Sequence, residues 1–175
     1  MKALTVQPGQ ADSGRVEDLP EAAVRQGQVQ VRALALGICG TDREIRSGAY
    51  GWAPAGGRRL ILGHESLGRV IDAPAATGFT AGDWVVGIVR RPDPAPCEYC
   101  AAGEWDLCSN GNYAEHGIKQ LHGYGAERYA LEPQYVVKVD ASLGPLGVLL
   151  EPASVVAKAW ELIDEYGRAR SRHGQ

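Results

Sequence analysis

LILGHESLGRV, residues 60–70, sets two side chains that can bind a metal or exchange a proton, His64 and Glu65, inside a run otherwise apolar and punctuated by glycine. Such a run reads as buried strand, and a buried strand has no use for charged groups that lack partners. Adjacent residues of an extended strand also point to opposite faces. Only one of the pair could then reach a common ligand, unless the backbone departs from strand geometry, which Gly63 permits. The stretch therefore offers His64 as a metal ligand and Glu65 as a second ligand or a carboxylate that orients the first. The alternative is a surface His-Glu pair on a loop.

Around it, most of the first 140 residues alternate with the period of two expected of half-buried strands, broken up by many of the chain's 23 glycines and 10 prolines. GQVQVRALALG (27–37), LGRVIDAP (67–74) and GDWVVGIV (82–89) read as strands, with Gly82-Asp83 in the turn between the last two. The expected class is mainly β, and closure into a small barrel would protect the strand edges. After Pro152 the pattern changes to a helix, about 153–168, with Val156, Trp160 and Ile163 on one face. Pro152 also biases Glu151 away from helix, which would hold that carboxylate just ahead of the first turn. The basic end, RARSRHGQ, reads as a frayed tail whose arginines suit the negative end of the helix dipole.

The 175 residues and 45% hydrophobic content fit one globular domain spanning 1–175. A net charge of -3 and the lack of a Lys/Arg block argue against nucleic acid. No segment approaches the ~20 apolar residues of a membrane span, and MKALTVQPGQ has no signal-peptide core. The expected location is the cytoplasm. In that reducing setting four cysteines, Cys39 alone and Cys97, Cys100 and Cys108 together, point to metal or catalysis before disulfides. A thiolate, an imidazole and a carboxylate from separate segments, Cys39 in GICGTD (37–42) with His64 and Glu65, make a zinc shell. Glu151 is a fourth candidate, or else an acid placed near a helix N-terminus by the dipole.

GICGTD, GHESLGRV, GDWVVG with the cysteines after it, and LLEPASVV (149–156) occur in the order and approximate spacing of the catalytic domain of zinc-dependent medium-chain dehydrogenases, which the chain resembles along nearly its whole length. GIVRRPDPAPCEYCAAGEWDLCSNG (87–111) and YAEHGIKQLHGYGAERY (113–129) resemble the glucose dehydrogenase branch. The resemblance implies a GroES-like, partly open β-barrel and a catalytic zinc on Cys39, His64 and Glu65, with Glu151 fourth or exchanging. It also implies a structural-zinc lobe at about 92–112. Cys97, Cys100 and Cys108 match the last three cysteines of the superfamily's C-x2-C-x2-C-x7-C; the first position is Pro94, and neighbouring Asp93 is the substitute ligand expected. Thr41 matches the hydroxyl that begins a proton relay, though it could equally cap a helix starting at Asp42 or Arg43. Glu115 stands where a sugar-binding glutamate is expected. Arg90 and Arg91 read as a solvated strand end, and His116 and His122 as loop residues outside the site.

The implied activity is that of a glucose 1-dehydrogenase, oxidising the C1 hydroxyl of an aldose to a lactone with hydride transfer to NAD(P). No G-x-G-x-x-G follows a strand here, so the Rossmann domain is expected to be absent, the chain inactive alone, and oligomers to form through the absent half. Two rivals remain: another polyol or alcohol dehydrogenase domain, and a non-catalytic GroES-like zinc- or carbohydrate-binding module.

Overall fold

A computed structural model describes residues 1–21 and 23–173. The strands are β1 (Lys2–Val6), β2 (Arg15–Asp18), β3 (Val29–Leu36), β4 (Leu60–Ile61), β5 (Ser66–Asp72), β6 (Trp84–Gly87), β7 (Arg90–Arg91), β8 (Ala114–His116), β9 (Gln120–Leu121), β10 (Arg128–Leu131) and β11 (Val136–Val139). The helices are α1 (Gly40–Arg46), α2 (Glu98–Ala101) and α3 (Leu150–His173).

The main sheet has the order β10-β3-β5-β6-β11 and is antiparallel at every pairing. Its inner face follows from the alternation seen in the sequence. Val29, Val31, Val70, Val85, Tyr129 and Leu131 point inward and pack with Tyr124 and Val136 as the principal core, where each buried Val or Leu is worth about 1.5–3 kcal/mol. A second sheet, β2-β1-β4, continues past β10: Ala3 bridges Ala126, and the Leu4 N–H donates to the Gly125 carbonyl at 2.7 Å. Among the described residues the ladder does not close, and β11 forms one end. A smaller core of Val6, Ile45, Leu60, Leu62 and Ile118 seats α1 on these strands.

The opening stretch is not one continuous strand. β4 stops at Ile61 and β5 starts at Ser66, so His64 and Glu65 lie in a bend. Gly63 takes φ +95°, and three consecutive amides fix the turn: Gly123 N–H to Ile61 O, Tyr124 N–H to Gly63 O and Gly125 N–H to Leu62 O, each 2.8 Å. Gly123 must be glycine for this contact, since a Cβ there would stand 2.3 Å from the Gly63 carbonyl oxygen. Freed from the pleat, neighbouring side chains can turn to the same side.

The C-terminal helix differs from expectation at both ends. It begins at Leu150 rather than 153, so Glu151 lies inside its first turn and is not held ahead of it. Proline is tolerated there because first-turn N–H groups have no intrahelical partner to lose. The helix runs on to His173, so the stretch read as a fraying tail is helical to that point, while Gly174 and Gln175 lie outside the described residues. Val156, Trp160 and Ile163 share a face as anticipated, and all three are exposed. Lys158 ties the helix to the cysteine lobe through Glu104 at 2.8 Å and Asp106 at 3.3 Å. Among the described residues no helix is long and apolar enough to cross a membrane.

Candidate metal centre

Cys39, His64 and Glu65 come together at the end of β3. One ligand atom of each lies within 4.8 Å of the others. Cys39 is the N-cap of α1: its Sγ accepts the Thr41 N–H at 3.3 Å, and its own N–H donates to Asp42 Oδ2 at 3.0 Å. This reciprocal capping box fixes the thiol's direction. Its Sγ lies 3.2 Å from His64 Nε2. Zinc bonds of about 2.3 Å to sulfur and 2.0 Å to nitrogen in a tetrahedron place those atoms roughly 3.5 Å apart, so a few tenths of an ångström of adjustment admits the ion.

Behind the histidine stands Asp42, a residue that motif reading passed over. Its Oδ1 is 3.7 Å from His64 Nδ1, and both atoms are buried without a hydrogen-bond partner. A carboxylate behind the far nitrogen of a ligating imidazole is how such rings are oriented and made more basic. The signal in the sequence was the aspartate three residues after Cys39, at the capping-box position. Gly37 is the other omission. Its N–H donates to the Glu65 carbonyl at 2.8 Å, and a Cβ on it would fall 1.9 Å from Glu65 Oε2. The cradle for Glu65 exists because residue 37 has no side chain.

Thr41 does not cap α1, since the Cys39 sulfur does; it sits in the first turn, and its hydroxyl makes no hydrogen bond among the described residues. Glu151 lies outside the close trio but within its field. Burial raises its carboxyl above the usual range, His64 opposes this, and Glu65, Asp42 and Glu115 add to it. Glu115, on β8, has one oxygen bound by Arg90, Nε at 3.1 Å and Nη2 at 2.8 Å.

Arg90 and Arg91 are not a solvated strand end. Arg90 also donates to the Trp105 and Asp106 carbonyls and lies 3.9 Å from the Tyr113 ring centroid. Arg91 stacks 3.7 Å above Tyr135. The two loop histidines also have partners. His116, on β8, stacks on Tyr124 at 4.9 Å with Nδ1 2.6 Å from the His122 carbonyl, and burial, then Arg91, lowers its pKa to about 4. His122 Nδ1 accepts the Ile61 N–H at 3.1 Å, bracing the bend before His64.

The second cluster joins Cys97, Cys100 and Cys108, again with ligand atoms within 4.8 Å of one another. Cys97 is the N-cap of α2. The Cys100 backbone N–H, then the Ser109 hydroxyl and N–H, hold the Cys97 thiol down to about 6, while burial pushes the Cys100 thiol up. Three thiols so placed fit a thiophilic ion such as zinc. Asp93 is not gathered with them. Its Oδ1 accepts the Ala95 N–H at 2.8 Å and its Oδ2 the Asn110 side-chain N–H at 3.0 Å, so the carboxylate braces the loop where the sequence suggested it would ligate.

Residues 25–141 match the alcohol dehydrogenase GroES-like domain. The chain is 46% identical over 162 residues to a glucose 1-dehydrogenase of Methanocella arvoryzae, covering 92% of this chain and 45% of that protein. It is 44% identical over 171 residues to that of Thermoproteus tenax, covering 97% and 48%. The chain thus spans about half the length of the curated relatives it matches. Among solved structures, Haloferax mediterranei glucose dehydrogenase in complex with NADP, Zn and gluconolactone superposes with a TM-score of 0.82 at 38% identity, over 92% of this chain and 45% of that one. Galactitol-1-phosphate dehydrogenase from Escherichia coli, at 22% identity and a TM-score of 0.78 over 94% and 45%, shares the fold.

Proposed function

The chain belongs to the alcohol dehydrogenase GroES-like domain family, and from that premise we propose that it is the catalytic half of a zinc-dependent glucose 1-dehydrogenase. The reaction is oxidation of the C1 hydroxyl of an aldose to a lactone, the hydride passing to NAD(P) held by a nucleotide-binding half. The observation that carries this reading is the convergence of Cys39, His64 and Glu65 with Asp42 behind the imidazole. These donors, sulfur, nitrogen and oxygen, suit zinc. A zinc ion bound there supplies Lewis acidity to a hydroxyl oxygen.

The chain's own groups do the remaining work. Asp42 faces the Nδ1 edge of the His64 ring at 3.7 Å, a charge that favours the ring's ligating orientation, and Gly37 leaves room for the Glu65 carboxylate. Glu151, its carboxyl raised by burial, is suited to hold a proton beside the trio and to serve as a fourth or exchanging ligand. The Thr41 hydroxyl can accept a proton from the sugar hydroxyl and donate its own onward. Glu115 Oε2, which has no hydrogen-bond donor among the described residues while Arg90 fixes Oε1, is suited to accept a bond from a sugar hydroxyl. Cys97, Cys100 and Cys108 hold a structural zinc that stiffens the lobe Lys158 ties to α3. Free thiols throughout agree with a cytoplasmic setting, and the complete enzyme associates through its other half.

The test is complementation. The zinc-loaded chain, fused to the nucleotide-binding half of a relative, should reduce NADP in the presence of glucose and lose this with Cys39→Ala. A folded, zinc-loaded fusion that oxidises other polyols but no aldose would shift the substrate class. One that binds sugar and oxidises nothing would favour the binding module.

A further inference from the structure

A separate cavity of about 470 Å³ opens on the outer face of the main sheet, lined by Glu21, Gln30, Arg32, Arg69, Gly82 and Arg128 with neighbouring residues, none of them in either metal cluster. Strand register builds it. Arg128 of β10 is paired with Arg32 of β3, and Arg32 with Arg69 of β5. Their chain neighbours Tyr129, Val31 and Val70 are buried, so all three arginines point outward, abreast on adjacent strands.

Like charges directly opposite across strands destabilise the pairing. In a chain of net charge -3 the row is not a by-product of basic composition. Nor is it fully neutralised from within. Arg128 pairs with Glu21. Among the described residues Arg69 donates only its Nε, to the Gly82 carbonyl at 3.2 Å, and Arg32 makes no side-chain hydrogen bond or ion pair. The next position in the row is Trp84 of β6, which brings no charge, and the adjacent rung sets one acid, Asp72, opposite Gln30. Two carboxylates against three guanidinium groups leave positive charge and unused forked donors around a concave surface.

We infer that this cavity binds a small multivalent oxyanion, a phosphate group either free or carried on a small molecule. Planar guanidinium forks match tetrahedral oxyanions through paired, charge-assisted hydrogen bonds. The Gln30 amide adds a neutral donor at the rim. A monovalent halide satisfies one fork and leaves the rest repelling, so the site selects for several oxygens and at least two charges. An occupied site also relieves the repulsion that the bare row carries.

The experiment is calorimetric titration of the 175-residue chain at fixed ionic strength with pyrophosphate, inorganic phosphate and glucose 6-phosphate, against sulfate and acetate, repeated with Arg32→Gln and Arg69→Gln. Saturable one-site binding of a phosphate, weakened about tenfold or more by each substitution, is expected. The free anions and the sugar ester as separate arms show which source of phosphate the site prefers. Both side chains are exposed, so each variant should unfold at or above the wild-type temperature when no ligand is present. The proposal is overturned by no saturable binding, by variants that titrate as wild type, or by acetate binding as tightly as phosphate. It is equally overturned if the substitutions lower the unfolding temperature, which would give the arginines a structural role.

Discussion

Replacing Gly37 by alanine strikes the metal centre without touching a ligand. The backbone at 37 is not left-handed, so alanine can adopt it and the objection is purely spatial. The added Cβ would stand 1.9 Å from Glu65 Oε2, 2.8 Å from its Cβ and 3.0 Å from its Cδ. A terminal oxygen could swing aside, but the Glu65 Cβ moves only with its backbone, which the Gly37 N–H holds at 2.8 Å. Either the carboxylate leaves the trio or the end of β3 parts from the bend. Overpacking of this kind costs about 1–3 kcal/mol, and losing a ligand or its orienting carboxylate lowers metal affinity roughly 10- to 100-fold. Competition with a chromophoric zinc chelator, in a Cys97→Ala background so that only one site reports, measures the affinity, and thermal unfolding measures the packing cost. Wild-type affinity together with an unchanged unfolding temperature would mean that the Glu65 carboxylate does not depend on the space at residue 37.

Three further outcomes follow from the same geometry. Asp42→Asn keeps a capping acceptor for the Cys39 N–H but removes the charge behind His64, so helix content should hold while zinc affinity falls about 10-fold or more; unchanged affinity would remove Asp42 from the centre. His116 has a folded pKa of about 4, below the ~6.5 of an exposed histidine, so the unfolded chain binds the extra proton first. Its contribution is complete above pH ~6.5 and is lost as pH falls towards 4, on the order of 3 kcal/mol in all. Urea unfolding at several pH values should show this slope in the wild type and a flatter one in His116→Phe; equal slopes would contradict it. The exposed Val156, Trp160 and Ile163 face of α3 should bind a hydrophobic dye and promote association at high concentration, both reduced by Trp160→Lys. A chain that stays monomeric and binds no dye would end that reading.

What the sequence showed of the fold was what periodicity carries. β3 and β5 were legible because their alternation is the pattern of one wet and one dry face, and the cysteine spacing because a metal lobe is nearly local. His64 and Glu65 were legible as a pair, but the bend that unites them depends on amides of 123–125, some sixty residues away, which no local pattern announces. The same holds for Asp42, whose role appears only when α1 is laid against the bend, and for the arginine row, which exists only in the register of three strands. α3 starts at Leu150 and not near 153 because a first turn accepts proline at its third position as readily as at its first, where no intrahelical N–H bond is lost either way. Asp93 lies outside the three-thiol cluster with each oxygen accepting one hydrogen bond, from Ala95 and from Asn110, partners that its nearness in sequence to Pro94 does not disclose.

Whether the chain holds a catalytic and a structural zinc is decided by elemental analysis of the purified protein beside Cys39→Ala and Cys97→Ala. The wild-type chain should carry two zinc ions and each variant one, a different ion being lost from each. No zinc at the Cys39, His64 and Glu65 centre, or a Cys39→Ala chain that still holds both ions, would contradict it.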